Sequence, residues 1–141
     1  MRKKPKVSIL LNCYNEERFI KRSIKSVVNQ TFKNWELVVW DDASTDNTVK
    51  IIKQFKDKRI KLFRNKKNLG LGKSRIRAQK LLKGEYVAIL DADDFFKKKK
   101  IQEQVQILNN HKNVGLTSTW TKIQDLNGNQ LGSLVFEVDD T

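Results

Sequence analysis

Asp91-Ala92-Asp93-Asp94 places three carboxylates within four residues, directly after the apolar run Glu85 to Leu90. Packed this closely they repel one another unless a cation is present. Mg²⁺ or Mn²⁺ takes one or two protein carboxylates and completes its shell with phosphate oxygens and water, so the segment reads as a diphosphate anchor. A turn whose acids cap the next helix is the plainer alternative. Asp41-Asp42-Ala43-Ser44-Thr45-Asp46 also follows an apolar run. Ser44 or Asp46 suits a helix N-cap, whereas Asp41 and Asp42 come too early. A carboxylate there could accept the ring N–H that uracil offers at N3 and cytosine lacks, with Tyr14 as a stacking face or as an ordinary loop aromatic.

Asn68-Leu69-Gly70-Leu71-Gly72-Lys73-Ser74-Arg75 lacks the glycine-to-lysine spacing of a P-loop. Gly70 and Gly72 permit a backbone that hugs a ligand, and Lys73 and Arg75 bring positive charge to the same rim; a plain surface loop is the other reading. Cys13 and His111 are single, which excludes an intramolecular disulfide and a Cys/His zinc cluster. Cys13 reads as a small buried residue. His111, in Asn109-Asn110-His111-Lys112-Asn113, reads as a surface residue at a polar helix exit.

Alternating strands and helices must position these segments. Val7 to Leu11 and Trp35 to Trp40 are apolar runs typical of strands covered on both faces. Between them a helix is expected from Glu16 to about Gln30 on Ile20, Ile24, Val27 and Val28, with Asn15 as N-cap. A second helix is expected from Ser44–Asp46 to about Phe55, then a strand at Arg59 to Arg64 and a loop from Asn65 to Gly72. A third helix should run to about Leu82 and close at Gly84. Glu85 to Leu90 is the fourth strand, Ile101, Val105 and Leu108 mark another helix, and Val114 to Gln124 and Gln130 to Val138 form a hairpin around Asn127-Gly128-Asn129. The order implies an α/β domain with a mostly parallel sheet and flanking helices. Ligands of such sheets sit beyond the carboxyl ends of the strands, where the polar segments gather.

The chain has 141 residues, 38% hydrophobic and 32% charged, with a net charge of +13. That suits one globular domain and excludes wholesale disorder. No apolar run approaches the ~20 residues of a membrane span, so a cytoplasmic chain is expected.

Val7-Ser8-Ile9-Leu10-Leu11-Asn12-Cys13-Tyr14-Asn15-Glu16, Gln30-Thr31-Phe32, Asp41 to Asp46, Asn68 to Leu71 and Asp91 to Asp94, in that order, resemble the successive motifs of the inverting family 2 glycosyltransferases. The resemblance runs from about Pro5 to Leu108. It implies the GT-A fold, a UDP-sugar donor, Mg²⁺ or Mn²⁺, and a saccharide or lipid-linked acceptor. By resemblance Asn12, Tyr14 and Glu16 line the uridine pocket, Asp42 reads the uracil, and Arg75 lies near base or diphosphate. Asp91 lies near the ribose, Ala92 stands beside it in the donor site, and Asp93 is the metal ligand of the DXD motif. Ile76 stands where the family usually has Asn. The family's catalytic base is an acid well downstream of DXD, and Asp139 and Asp140 come too early for it. The base is therefore expected beyond Thr141, and the chain reads as a donor-binding half truncated on the acceptor side, with 1–110 as βα units and 111–141 as a hairpin-like extension.

The positive charge has two readings. Arg2, Lys3, Lys4, Lys6 and Lys97 to Lys100 are either a solvated face or a surface drawn to the inner face of an anionic membrane. Nucleic acid is not expected as a partner: Trp35, Trp40, Phe55 and Phe63 occupy strand or helix positions instead of interleaving with lysines. A nucleotidyltransferase shares the metal and nucleotide logic but not the remaining motifs.

Overall fold

The computed structural model describes residues 4–134. They form two compact units, divided between Val105 and Gln106. The first carries a parallel sheet of β1 (Val7–Cys13), β2 (Trp35–Asp41), β3 (Ile60–Arg64) and β4 (Tyr86–Asp91), in the order β3-β2-β1-β4. The two central strands are buried on both faces, as their unbroken apolar runs require. On one face Val7, Ile9, Leu11, Leu37 and Val39 join Ile20, Ile24 and Val27 of α1 (Ile20–Val28), Ile52 of α2 (Thr48–Ile52), and Ile101 and Val105 of α4 (Lys100–Asn110) in the main core. On the other, Leu10 and Val38 pack with Ala78 of α3 (Leu71–Gln79) and with half-buried Trp40 and Phe63.

The chain adds β2 and β3 on one side of β1, then crosses to place β4 on the other. The crevice between the carboxyl ends of β1 and β4 is therefore a topological switch point, where open α/β sheets bind ligands. Asn12 and Asp91 are register partners across it.

Several elements begin later or end earlier than the sequence predicts. α1 starts at Ile20, and Asn15 does not cap it: Asn15 sits at φ 55°, and the Glu16 carbonyl accepts the N–H groups of Phe19 and Ile20 instead. α2 is a single short turn from Thr48 to Ile52, its start marked by Thr48 N–H donating to Asp46 Oδ1 at 2.9 Å. α3 begins two residues earlier than expected and takes in Leu71 and Gly72, with Lys73 and Arg75 following on its first turns. Gly84 does not close that helix, which ends at Gln79. A Cβ at Gly84 would stand 2.3 Å from the Ser8 backbone nitrogen, so glycine is required there by the close approach to β1.

Near that approach Glu36 is buried. Its Oε1 accepts Ser8 Oγ at 2.6 Å and Lys83 N–H at 2.8 Å, and its Oε2 meets Lys61 Nζ at 2.5 Å. Burial alone would raise this carboxyl's pKa, but Lys61, Ser8 and the Lys83 amide together hold it below its ordinary value. Glu36→Ala is expected to cost about 2–3 kcal/mol, because the buried Ser8 hydroxyl loses its acceptor and Lys61 its ion-pair partner, while Lys83 N–H keeps only Ser8 Oγ. The depressed pKa means that this contribution is present above the ordinary glutamate pKa and lost as pH falls through the folded value. Urea unfolding of both proteins from neutral to acid pH should show the difference shrinking on acidification.

In the second unit β5 (Thr121–Gln124) and β6 (Gln130–Leu134) form an antiparallel hairpin with a register irregularity at Ile123/Gln124. The sequence pattern predicts a first strand from Val114, but 115–120 carry no regular structure; the predicted residues 135–138 lie outside the described ones. The Asp125 carboxylate closes the turn by accepting the Asn127 and Asn129 N–H groups, and Gly128 lies at φ 88°. His111 follows the last turn of α4 and is exposed. Among the described residues no helix is long and apolar enough to cross a membrane.

Candidate functional site

The loops after β1 and β2 are laced together. Asn15 N–H donates to Ser44 Oγ at 2.9 Å, Glu16 N–H to Thr48 Oγ1 at 2.7 Å and Glu17 N–H to Asp46 Oδ2 at 3.0 Å. In return the Thr45 and Asn47 N–H groups donate to Asn15 Oδ1 and Glu17 Oε2. Asn15 and Ala43 both adopt positive φ, 55° and 66°, a conformation that costs a non-glycine residue roughly 1–2 kcal/mol. The polar letters of these loops thus go to inter-loop bonds more than to capping. They fix the rim on which Tyr14, 45% exposed, presents its ring.

Asp42 is buried and holds the glycine segment. Its Oδ1 accepts Asn65 Nδ2 at 2.7 Å and Leu69 N–H at 3.0 Å, and its Oδ2 accepts Gly70 N–H at 2.8 Å. Burial would raise its pKa, but these bonds and one from Ser74 outweigh it and hold the carboxyl below its ordinary value. Gly70, at φ 82°, is the N-terminal flank of α3, so Asp42 fixes where that helix begins. Asp41, fully buried, accepts Ser44 N–H at 3.1 Å and pairs with Arg64 Nε at 2.8 Å.

The acidic turn lies across the switch point. Ser23 Oγ of α1 donates within reach of the Ala92 and Asp94 carbonyls (2.5 and 2.6 Å), and buried Gln30 donates to the Lys97 carbonyl at 2.8 Å while accepting Ile101 N–H at 3.1 Å. Asp91, Asp93 and Asp94 are exposed above this strap, Ala92 is buried in it, and Arg75 Nη2 reaches Asp91 Oδ1 at 3.1 Å. Burial and then the charges of Asp93 and Asp91 push the Asp94 carboxyl up. Burial and then Asp93 and Asp46 do the same to Glu16. Repulsion thus links Asp93 to both Glu16 and Asp94, and Asp91 to Asp94, while Asp46, despite its partial burial, is held below its ordinary value by the Thr48 and Glu17 bonds; a cation would relieve the repulsion around Asp93. Among the described residues no three ligating side chains stand together as a ready-made cage. An all-oxygen rim with repelling carboxylates fits a hard cation that draws its other ligands from diphosphate and water.

On the α3 side of the same crevice, the Asn12 amide, Trp40 Nε1 and Arg75 Nε are shielded from solvent without a protein partner, leaving polar atoms available below the rim. Lys73 is exposed on the first turn of α3. Ser23, Gln30, Asn65 and Ser74 place other site residues and are not singled out by the sequence, although Gln30 and Ser74 lie within the Gln30-Thr31-Phe32 and Asn68–Arg75 segments. Cys13 is buried beside Asp41, and burial, then the Asp41 charge, drives its thiol well above the ordinary range. We expect the native thiol to react with a disulfide reagent at mildly alkaline pH at least about a hundredfold more slowly than after denaturation, measured by thiolate release. A comparable rate in both states would contradict its placement.

The sequence pattern of glycosyl transferase family 2 matches residues 8–135. The chain is 42% identical over 102 residues to the Escherichia coli UDP-Glc:alpha-D-GlcNAc-diphosphoundecaprenol beta-1,3-glucosyltransferase WfgD, covering 72% of this chain and 40% of that protein. It matches the structure of S. aureus TarS residues 1–349 in complex with UDP-GlcNAc at a TM-score of 0.73 and 28% identity, covering 87% of this chain and 41% of the other. The mannosyltransferase PcManGT from Pyrobaculum calidifontis, in complex with GDP-Man and Mn²⁺, matches at 0.69 and 26%, covering 75% and 33%. The chain spans less than half the length of the curated relatives it matches first, with shares of 46%, 45% and 40%.

Proposed function

The chain belongs to glycosyl transferase family 2 and has the GT-A fold, and from that membership we propose that it binds the nucleotide half of a UDP-sugar, with Mg²⁺ or Mn²⁺, for inverting transfer to an acceptor hydroxyl. The observation that carries this reading is the negative rim at the β1/β4 switch point, with Asp91, Asp93 and Asp94 facing Glu16. Asp93 would hold the cation, and Asp91 the ribose. A bound cation would neutralise diphosphate charge and ease departure of UDP. Arg75, now paired with Asp91, would turn to the base or diphosphate, and Lys73 adds charge on the same helix. Asn12, Tyr14 and Glu16 would flank the uridine, with Ala92 and Gly70 closing on the ligand. Asp42 serves the base through the loop it holds; direct acceptance of the uracil N3–H needs one loop N–H to yield its place. The acceptor-activating base is not assigned to any described residue. A lipid-linked or saccharide acceptor is supported by the named relative's diphosphoundecaprenol substrate; such an acceptor would bring the working protein to the inner face of a membrane.

A nucleic-acid role is disfavoured by the aromatics: Trp35 is buried beneath the Arg59 guanidinium at 3.6 Å, and Trp40 stacks on Phe63. Trp120 alone among the tryptophans is exposed. Calorimetric titration with UDP, CDP and GDP in Mn²⁺ tests the assignment. UDP should bind at least about tenfold more tightly than CDP once the uracil N3–H takes the place of one loop donor on Asp42, a bond to a charged group that cytosine cannot make. Equal affinity for all three would overturn the uracil reading.

A further inference from the structure

A second cavity, of about 720 Å³, opens between α1 and the segment following the acidic turn. It is lined by Arg22, Lys25, Lys33 and Lys98 together with Phe95 and Phe96, and no carboxylate lines it. Among the described residues Lys25, Lys33 and Lys98 form no ion pair with an acid. The Arg22 guanidinium lies 3.7 Å over the Phe95 ring, and Phe96, nearly buried, is pinned by its N–H to Ser26 Oγ at 3.0 Å. The straps from Gln30 and Thr31 to the Lys97 and Lys98 carbonyls hold this wall to α1.

Lys25, Lys33 and Lys98 around one concavity repel one another, and an anion between them relieves that repulsion. The size suits a small headgroup. We infer that this cavity receives the phosphate headgroup of an anionic membrane lipid, with the phenylalanines against its apolar neighbour and the exposed Lys97 and Lys99 continuing the positive surface outward. A nucleic acid fits less well, because one ring is covered by Arg22 and the other is buried, so neither is a stacking platform. This inference deepens the membrane-surface part of the proposed function and rests on it. The donor site is separate, and UDP affinity serves as an internal control.

The test is sedimentation of the full chain with phosphatidylcholine vesicles, with and without phosphatidylglycerol. The pocket variant Lys25→Gln/Lys98→Gln is compared with the equally charged control Lys56→Gln/Lys58→Gln. At about 1 kcal/mol per lysine near an anionic surface, the pocket variant should bind phosphatidylglycerol vesicles about thirtyfold more weakly, with UDP affinity unchanged and the control close to wild type. An equal loss in both variants would overturn the pocket while leaving general membrane attraction. No preference for phosphatidylglycerol would overturn both. Protection of the pocket by inorganic phosphate without vesicle binding, or loss of duplex DNA retention in the pocket variant alone, would replace the lipid as occupant.

Discussion

Asp42→Ala is expected to weaken UDP binding by at least about tenfold and to destabilise the domain by about 3 kcal/mol. Its carboxylate is buried and accepts Asn65 Nδ2 and the Leu69 and Gly70 N–H groups. Alanine would take the acceptor from Leu69 N–H, and leave Gly70 N–H with Asn68 Oδ1 and Asn65 Nδ2 with Ser74 Oγ alone; a buried donor left without its acceptor costs roughly 1–3 kcal/mol. The glycine segment would lose the anchor that sets the start of α3, and with it the position of Arg75. Asp42→Asn keeps the volume but turns one oxygen into a donor facing donors, so it should be only partly better. Chemical unfolding and calorimetry on both variants check this. A variant of full stability and full UDP affinity would show that the loop is held by other means.

Asp93→Asn should separate binding from stability. Its side chain lies on an exposed position and its charge raises both Glu16 and Asp94. Neutralising it removes repulsion in the unliganded protein, so stability should hold or rise by a few tenths of a kcal/mol, as at other sites where function is kept at the expense of stability. UDP affinity in Mn²⁺ should nevertheless fall by about a hundredfold, on the scale of losing a metal's protein support. Thermal denaturation with and without UDP and Mn²⁺ reads both effects: wild type gains a ligand-dependent shift, and the variant does not. A destabilised variant that still shows the shift would assign Asp93 a structural role instead.

The strands after which the site residues stand were legible because β1 and β2 are apolar on both faces, a pattern that survives any tertiary context. Helix starts were less legible. Asn15, Ser44 and Asp46 are good capping residues, but Asn15 and Ser44 spend their oxygens on the neighbouring loop, and sequence does not show which loop will be close. Gly84 carries the letter of a helix terminator and is required instead by contact with a strand remote in sequence. The acidic turn and Asp42 could be named from spacing and position after a strand. Gln30, Asn65 and Ser74 could not, since each does its work by satisfying partners from another element, and nothing local in composition marks such a residue. The sequence also suggested that Asp42 faces a base directly, whereas its hydrogen-bonding capacity is largely taken up by the loop.

We propose that the rim formed by Asp91, Asp93, Asp94 and Glu16 becomes a nucleotide site when a divalent cation joins it. Calorimetric titration of the full chain with UDP, in Mn²⁺ and again after chelation with EDTA, tests it most directly. One UDP should bind saturably in Mn²⁺, with a loss of at least about tenfold in affinity without the cation. Equal affinity in both conditions, or no binding in either, would contradict it.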